Sequence, residues 1–311
     1  MLESQKLVLW ISSGLTGLLI GSFLNVCIFR LPRNCMSIVR PRSRCPKCLR
    51  WITWYDNLPV VSWVLLGGKC RGCRAPISPR YALVELLTGA VFGYAGWRAL
   101  YGVPSPGWHE AVRFGVEAWF MSCLIVCTFI DYDFQILPDE ITLSGIALGL
   151  VLSAAFPFLH ETGLPLQDHA KSLARFFGGH PWLASLAASA FGALLGAGVI
   201  YFADLLGKLL FRKEGMGMGD VKYVAMFGAV LGWKGALLGF MVACLAGAIF
   251  GIGKLIAVRR MGYVPFGPFL SAGAAVIVFW PTLVVRAIFI YMGWMHSLSA
   301  WTLQLFGVRP V

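Results

Sequence analysis

A chain of 311 residues that is 58% hydrophobic and 13% charged, with a mean hydropathy of +0.75, is not an ordinary soluble domain. Its net charge of +12 is concentrated, because the eleven basic residues between positions 30 and 81 face Asp56 alone. Topology across a bilayer and anionic lipid headgroups account for such a cluster, so the expected partner is lipid and no nucleic acid is expected.

Residues 7–29 predict a first membrane helix. The start does not read as a cleavable signal: its only basic residue is Lys6 and its apolar run is too long. The longest polar stretch follows, and it holds Cys45-Pro46-Lys47-Cys48 and Cys70-Arg71-Gly72-Cys73. Four thiolates in two such knuckles predict a tetrahedral zinc site with no open position, hence a structural one. Zinc would fold a loop too small to hold its own core. Reversible redox thiols are the competing reading, and a reducing cytoplasm favours the metal. Cys27, Cys35, Cys123, Cys127 and Cys244 lie in or near apolar runs and read as small buried hydrophobes.

Further spans are expected at 82–100, 111–130, 141–159 and 182–211, with a polar connection at 160–181. Residues 221–232 are apolar but only a dozen long, and Trp233-Lys234 ends them. Residues 235–258 and 264–280 cross again. Residues 281–295, interrupted by Arg286, either lie at the interface or span. The expected fold is an all-α polytopic membrane protein of about eight transmembrane helices, with a zinc-bound cytoplasmic lobe between the first and second. The expected division is a first helix at 1–29, the four-cysteine lobe at 30–81, a membrane domain at 82–295 and a tail at 296–311.

By the positive-inside rule the basic lobe is cytoplasmic. Alternation then returns the turns at 131–140, 212–222 and 259–262 to the same side. Arg212, Lys213, Lys222, Arg259 and Arg260 obey the rule, whereas the turn 131–140 is acidic and needs another explanation.

Asp131 ends one apolar run and Asp220 begins another, which places both carboxylates at similar depth on the cytoplasmic rim. Ionisable groups at a membrane border are costly unless paired or functional. Two close carboxylates share a proton, so one can act as base on water while the other acts as acid on a carbonyl oxygen. Before Asp220 the run Gly215-Met216-Gly217-Met218-Gly219 permits close backbone approach and leaves room for an extended substrate strand. It lacks the Gly-Lys-Ser/Thr of a phosphate loop and the spacing of a dinucleotide fingerprint. A helix-capping Asp after a glycine turn is the plain structural alternative.

Gly217-Met218-Gly219-Asp220 resembles the GxGD signature of intramembrane aspartic peptidases. Phe129-Ile130-Asp131-Tyr132-Asp133, with Ile136-Leu137-Pro138-Asp139, resembles the partner motif of the type IV prepilin peptidases. Further segments are similar to that family: Gly21-Ser22-Phe23-Leu24-Asn25-Val26, Trp54-Tyr55-Asp56-Asn57-Leu58-Pro59, Val84-Glu85-Leu86-Leu87-Thr88 and Pro265-Phe266-Gly267-Pro268. The resemblance implies a bifunctional enzyme of the bacterial inner membrane. It would cleave the basic leader of prepilins or pseudopilins after a glycine. It would then methylate the new N-terminus with S-adenosylmethionine.

On that resemblance Asp131 and Asp220 are the peptidase pair, and Gly217, Gly219, Pro265 and Phe266 line the substrate. Asp133 and Asp139 either attract the basic leader or, for Asp139, cap a helix. Glu85 either meets the substrate amine or pairs with Arg80 or Lys69. Trp51, Trp54, Tyr55 and Trp63 either hold the donor or the new N-terminal residue, or pack the lobe and anchor it at the headgroups. The sequence shows no donor-binding residues. It departs from the family at Phe134, where relatives often carry His, and a catalytic role for that side chain is not expected.

Overall fold

The computed structural model describes residues 3–33, 37–101, 103, 106–159, 179–211, 216–258 and 264–305. Most of the expected polar connection at 160–181, the basic residues at 212, 213, 259 and 260, and Cys35 lie outside the described residues. Among the described residues the chain is helical and forms no extended strand. We number the helices α1 (Glu3–Arg30), α2 (Val61–Leu65), α3 (Pro79–Tyr101), α4 (Trp108–Phe134), α5 (Asp139–Ala155), α6 (Pro181–Phe211), α7 (Met218–Val258), α8 (Gly267–Phe279) and α9 (Pro281–Leu305).

Four of these, α1, α4, α6 and α7, are long and apolar enough to cross a bilayer, and α8 with α9 makes a fifth if that pair, bent by 99°, is one broken span. The apolar helices make this a membrane protein. Helix α3 is diluted by Arg80, Glu85 and Arg98, and α5 has only 17 residues. Helix α7, with 41 residues, would run about 60 Å, roughly twice the hydrocarbon core. It is broken at Gly232, whose φ of 72° and ψ of 171° are non-helical. The break falls where Trp233-Lys234 interrupts the apolar pattern.

The bundle is built from antiparallel pairs in which small residues let backbones meet. Between α1 and α3, Trp10 Nε1 donates to Gly93 O (2.9 Å) at one end and Asn25 Nδ2 donates to Tyr81 O (3.0 Å) at the other. Between them a Cβ at Gly17 would stand 2.7 Å from Thr88 O. Between α6 and the first half of α7, Ser189 Oγ donates to Ala229 O (2.6 Å), and a Cβ at Gly192 would collide with the Gly228 carbonyl oxygen. The second half of α7 meets α8 through Gly239 and Ala274. The core at the centre is Phe120, Leu124, Tyr223, Met226, Phe227, Leu270 and Ile277, all essentially fully buried. Buried Cys27 and Cys127 behave as the expected small hydrophobes.

Two rims result. At one, Tyr94 of α3 stacks on Trp97 and packs with Phe279 and Trp280 at the end of α8, and Trp108 packs with Phe158. Such aromatic girdles are typical of a membrane–water boundary. At the other rim stand the end of α4, the starts of α3, α5, α7 and α8, and the four-cysteine lobe.

Candidate active site

Asp131 lies on the last turn of α4 and is buried, at 6% exposure. Its Oδ2 accepts the Gly267 N–H at 2.9 Å, from the first residue of α8. A helix N-terminus offers unpaired N–H groups and positive potential to a carboxylate. Asp220, on the first turn of α7, is half-buried and accepts the Gly217 N–H on Oδ2 at 3.1 Å. That bond is half of a capping box, so the plain capping role is real. It does not exhaust the residue, because Asp220 follows Gly219, and Gly219 packs on Leu137 in the turn that leaves Asp131.

The turn between α4 and α5 closes the site from one side. Gln135 takes the left-handed conformation (φ 57°) and its N–H returns to Asp131 O at 2.9 Å, ending α4. Leu137 then lies against Gly219, where a Cβ would come within 3.2 Å of Leu137 Cβ. The glycine before Asp220 therefore lets the two acid-bearing segments touch.

The other expected site residues are placed differently. Asp133 makes a two-oxygen ion pair with Arg80 Nη1 (2.8 and 2.6 Å), and Arg80 Nη2 also donates to Phe129 O at 3.2 Å. Asp139 opens α5, makes no side-chain cap, and pairs with Lys222 Nζ at 2.8 Å. Phe266 packs edge-on against Phe240 with centroids 6.4 Å apart, while Pro265 is half-buried beside it. Glu85 pairs with neither Arg80 nor Lys69; its Oε2 accepts the Val60 N–H at 2.8 Å.

Two contributors were not anticipated. One is the Gly267 N–H on Asp131. Its signal is the Pro268 that follows, since a proline in the first turn marks a helix start. The other is Asp204 of α6, which is buried, pairs with Lys208 Nζ at 2.8 Å and accepts the Met216 N–H at 3.2 Å. It fixes the beginning of the glycine run. An acid inside an apolar helix was the available signal.

The lobe repeats one small construction twice. In the first knuckle, Leu49 N donates to Cys45 O and Cys45 N to Arg50 O, with Leu49 at φ 58°. In the second, Arg74 N donates to Cys70 O and Cys70 N to Ala75 O, with Arg74 also at φ 58°. The four sulfur atoms of Cys45, Cys48, Cys70 and Cys73 all lie within 4.8 Å of one another, and Cys45 Sγ is 3.8 Å from Cys73 Sγ. A tetrahedron with Zn–S bonds of about 2.3 Å has edges of about 3.8 Å, so the donor set fits zinc. Backbone N–H groups of Cys48 and Lys47 pull the Cys45 thiol down, while burial and the neighbouring sulfurs push the Cys73 thiol up, so the four thiols titrate as one cluster. Arg71 grips Asp56 in a fork (2.7 and 2.8 Å) and holds that carboxyl below its ordinary range.

The fold and the site define a helical membrane protein with two acids converging on one rim and a four-thiolate lobe beside them. Residues 118–252 match the type IV leader peptidase family, and residues 15–99 match the bacterial peptidase A24 N-terminal domain. The chain belongs to the type IV leader peptidase family. It is 34% identical to a prepilin leader peptidase/N-methyltransferase of Aeromonas salmonicida, with 88% of this chain and 91% of that protein aligned. It is 32% identical to the protein of the same name from Pseudomonas aeruginosa, over 94% and 97%. The protein of that name from Myxococcus xanthus is 41% identical over 79% of this chain, and the alignment spans 63% of its own length. No solved structure matches the chain.

Proposed function

We propose that this protein is a membrane-embedded aspartic endopeptidase that removes the basic leader of prepilins or pseudopilins after a glycine, and then N-methylates the new N-terminus with S-adenosylmethionine. Membership of the leader peptidase family supports the activity, and the names of its relatives support the pairing of cleavage with methylation. The observation that supports the assignment to residues is that Asp131 and Asp220 stand on segments that touch through Leu137 and Gly219 at one rim, each braced by a backbone N–H.

In the proposed reaction the pair holds one proton. The ionised carboxylate takes a proton from water as it attacks the scissile carbonyl, and the protonated one donates to the carbonyl oxygen. The proton gained is returned to the leaving amine as the C–N bond breaks. Gly217 leaves the backbone before Asp220 open to an extended strand, and Gly219 lets that strand's site close against Leu137. Asp133 and Asp139 receive the leader's cations by exchange with Arg80 and Lys222. S-adenosylmethionine supplies the methyl group for the second reaction. Zinc on the four cysteines is structural, and Glu85, through Val60, seats the lobe.

The membrane frame belongs to the same reading. Counting α1, α3, α4, α5, α6, the two halves of α7 and α8 gives about eight crossings of the inner membrane, with the lobe and the acid-bearing rim in the cytoplasm. The basic lobe residues support that orientation. The expected divisions at 1–29, 30–81, 82–295 and 296–311 are kept as part of it.

Asp131→Asn and Asp220→Asn should each lower prepilin cleavage by at least about a hundredfold, the scale of acid–base catalysis, with the protein still folded. Wild type should show a bell-shaped pH profile, since the pair fails both fully protonated and fully ionised. A folded Asp220→Asn protein that still processes prepilin at the wild-type rate removes the assignment.

A further inference from the structure

The lobe does not simply stand above the bilayer. Arg30 ends α1 and donates to Ser37 O and Pro41 O, both at 2.7 Å, so the chain leaves the rim there. Yet the turn before α2 goes back down. Val60 N–H reaches Glu85, which is six residues into α3. Glu85 packs against Gly21, where a Cβ would lie 2.7 Å from Glu85 Cα, and Gly21 is nine residues short of the end of α1. At 1.5 Å per residue these offsets are about 9 Å below the start of α3 and about 13 Å below Arg30. A helical side chain leans toward its own N-terminus, which returns a few ångströms. Val60 is thereby held against the first two turns of α3, beside α1, and not above the helix ends.

The segment is also built in an unusual way. Val60 has φ 62°, a costly conformation for a β-branched residue and one that persists only where surroundings enforce it. Pro59 is buried beside it. Ser62 Oγ donates back to Leu58 O and Trp63 Nε1 to Ile77 O, so both polar groups are bonded within the lobe. Val61, Val64 and Leu65 of α2 share one helical face and are exposed at 53%, 62% and 79%, and Leu58 just before the helix is exposed at 41%. The neighbouring outward residues at this depth are Leu19 and Phe23 of α1 and Leu83 and Leu86 of α3, all exposed. The stripe continues that lipid-facing belt. Just beyond it in the chain come Lys69 and Arg74, suited to anionic headgroups.

We propose that residues 58–66 form a foot that inserts its apolar stripe into the leaflet beside α1 and α3 and fixes the four-cysteine lobe to the lipid surface. Depth, the continuous apolar belt and the basic flank all select lipid as the occupant. This goes beyond the peptidase reading and stands or falls separately from it.

The test places a fluorescent amino acid at Leu65, and in a second variant at Val64, of the full-length protein in vesicles of phosphatidylcholine with a minor share of phosphatidylglycerol. A label at Leu19 is the lipid reference. Lipids carrying a nitroxide on the acyl chain should quench Leu65 and Val64 as strongly as Leu19, and iodide should quench them severalfold less than the free fluorophore. Full quenching by iodide with none from the lipid nitroxide overturns the proposal. So does protection from iodide that appears only when prepilin is added, because the stripe would then be a substrate surface. Neither reading depends on cleavage, so loss of the peptidase assignment leaves the test intact.

Discussion

The Asp131 carboxylate leans on a single residue that lies 136 positions further along the chain. Gly267 gives its N–H to Oδ2, and its missing side chain makes the approach possible: a Cβ there would sit 2.7 Å from Oδ2 and 2.9 Å from Cγ. Gly267→Ala must therefore move either the helix start or the acid. Misplacing a reacting group by about 1 Å can cost on the order of a hundredfold in rate. We expect Gly267→Ala to lower kcat for prepilin cleavage by at least about tenfold on that scale, with little change in KM, since the substrate surface is not altered. Unchanged kcat in a folded variant would separate Gly267 from the proposed catalytic pair. At this scale the sequence was only partly legible. Asp131 and Asp220 stand out because a charge at the end of an apolar run is rare. Pro268 and the acid at 204 each mark a special position, but neither shows that the Gly267 N–H meets Asp131 or that the Met216 N–H meets Asp204, because those partners are set by how the segments fold together. Asp133 and Asp139 were visible as acids, but their pairing with Arg80 and Lys222 depends on which helix ends share the rim.

Among the helices the break in α7 is the feature that most shapes the molecule. Gly232 combines a positive φ with an extended ψ, a region open in practice to glycine alone. It separates a first half that packs on α6 from a second half that packs on α8, and so allows one chain segment to serve two pairs. Gly232→Ala should destabilise the protein by about 1–3 kcal/mol, the usual cost of forcing a side chain into such a conformation. The measurement is the thermal midpoint of the detergent-solubilised protein, which should fall by several degrees; an unchanged midpoint would mean the kink relaxes without penalty. The sequence already showed an apolar run of only a dozen residues at 221–232, and Trp233-Lys234 marked where it stops. The knuckles were equally legible, since two CxxC pairs leave little choice of chemistry. The foot at Val60 was not, because its location depends on one hydrogen bond to Glu85 across 25 residues.

Across the whole molecule the proposed peptidase and the lobe are supported by different parts of the chain. Asp131 and Asp220 rest on α4, α7 and α8, with the α4–α5 turn between them, and their bracing bonds come from Gly267 and Gly217. The lobe is joined to the helices through Arg30 and through Glu85 and Val60. Its internal order rests on little apolar burial, since Trp51, Trp54, Val64 and Leu65 are all exposed. A four-thiolate zinc site in a small domain typically contributes about 10–16 kcal/mol to folding, so without metal the lobe should lose its fold while the bundle stays packed. We assign the methyltransferase part of the proposed function to this lobe, so treating the full-length protein with a chelator should abolish transfer of labelled methyl groups to cleaved pilin and leave most of the prepilin cleavage rate. Adding zinc back should restore methylation. If cleavage falls in step with methylation, the lobe supports the acid pair, and Arg80, which reaches from α3 to Asp133 at the end of α4, is the connection through which it would do so. If neither activity changes, the four cysteines are not what holds the lobe together.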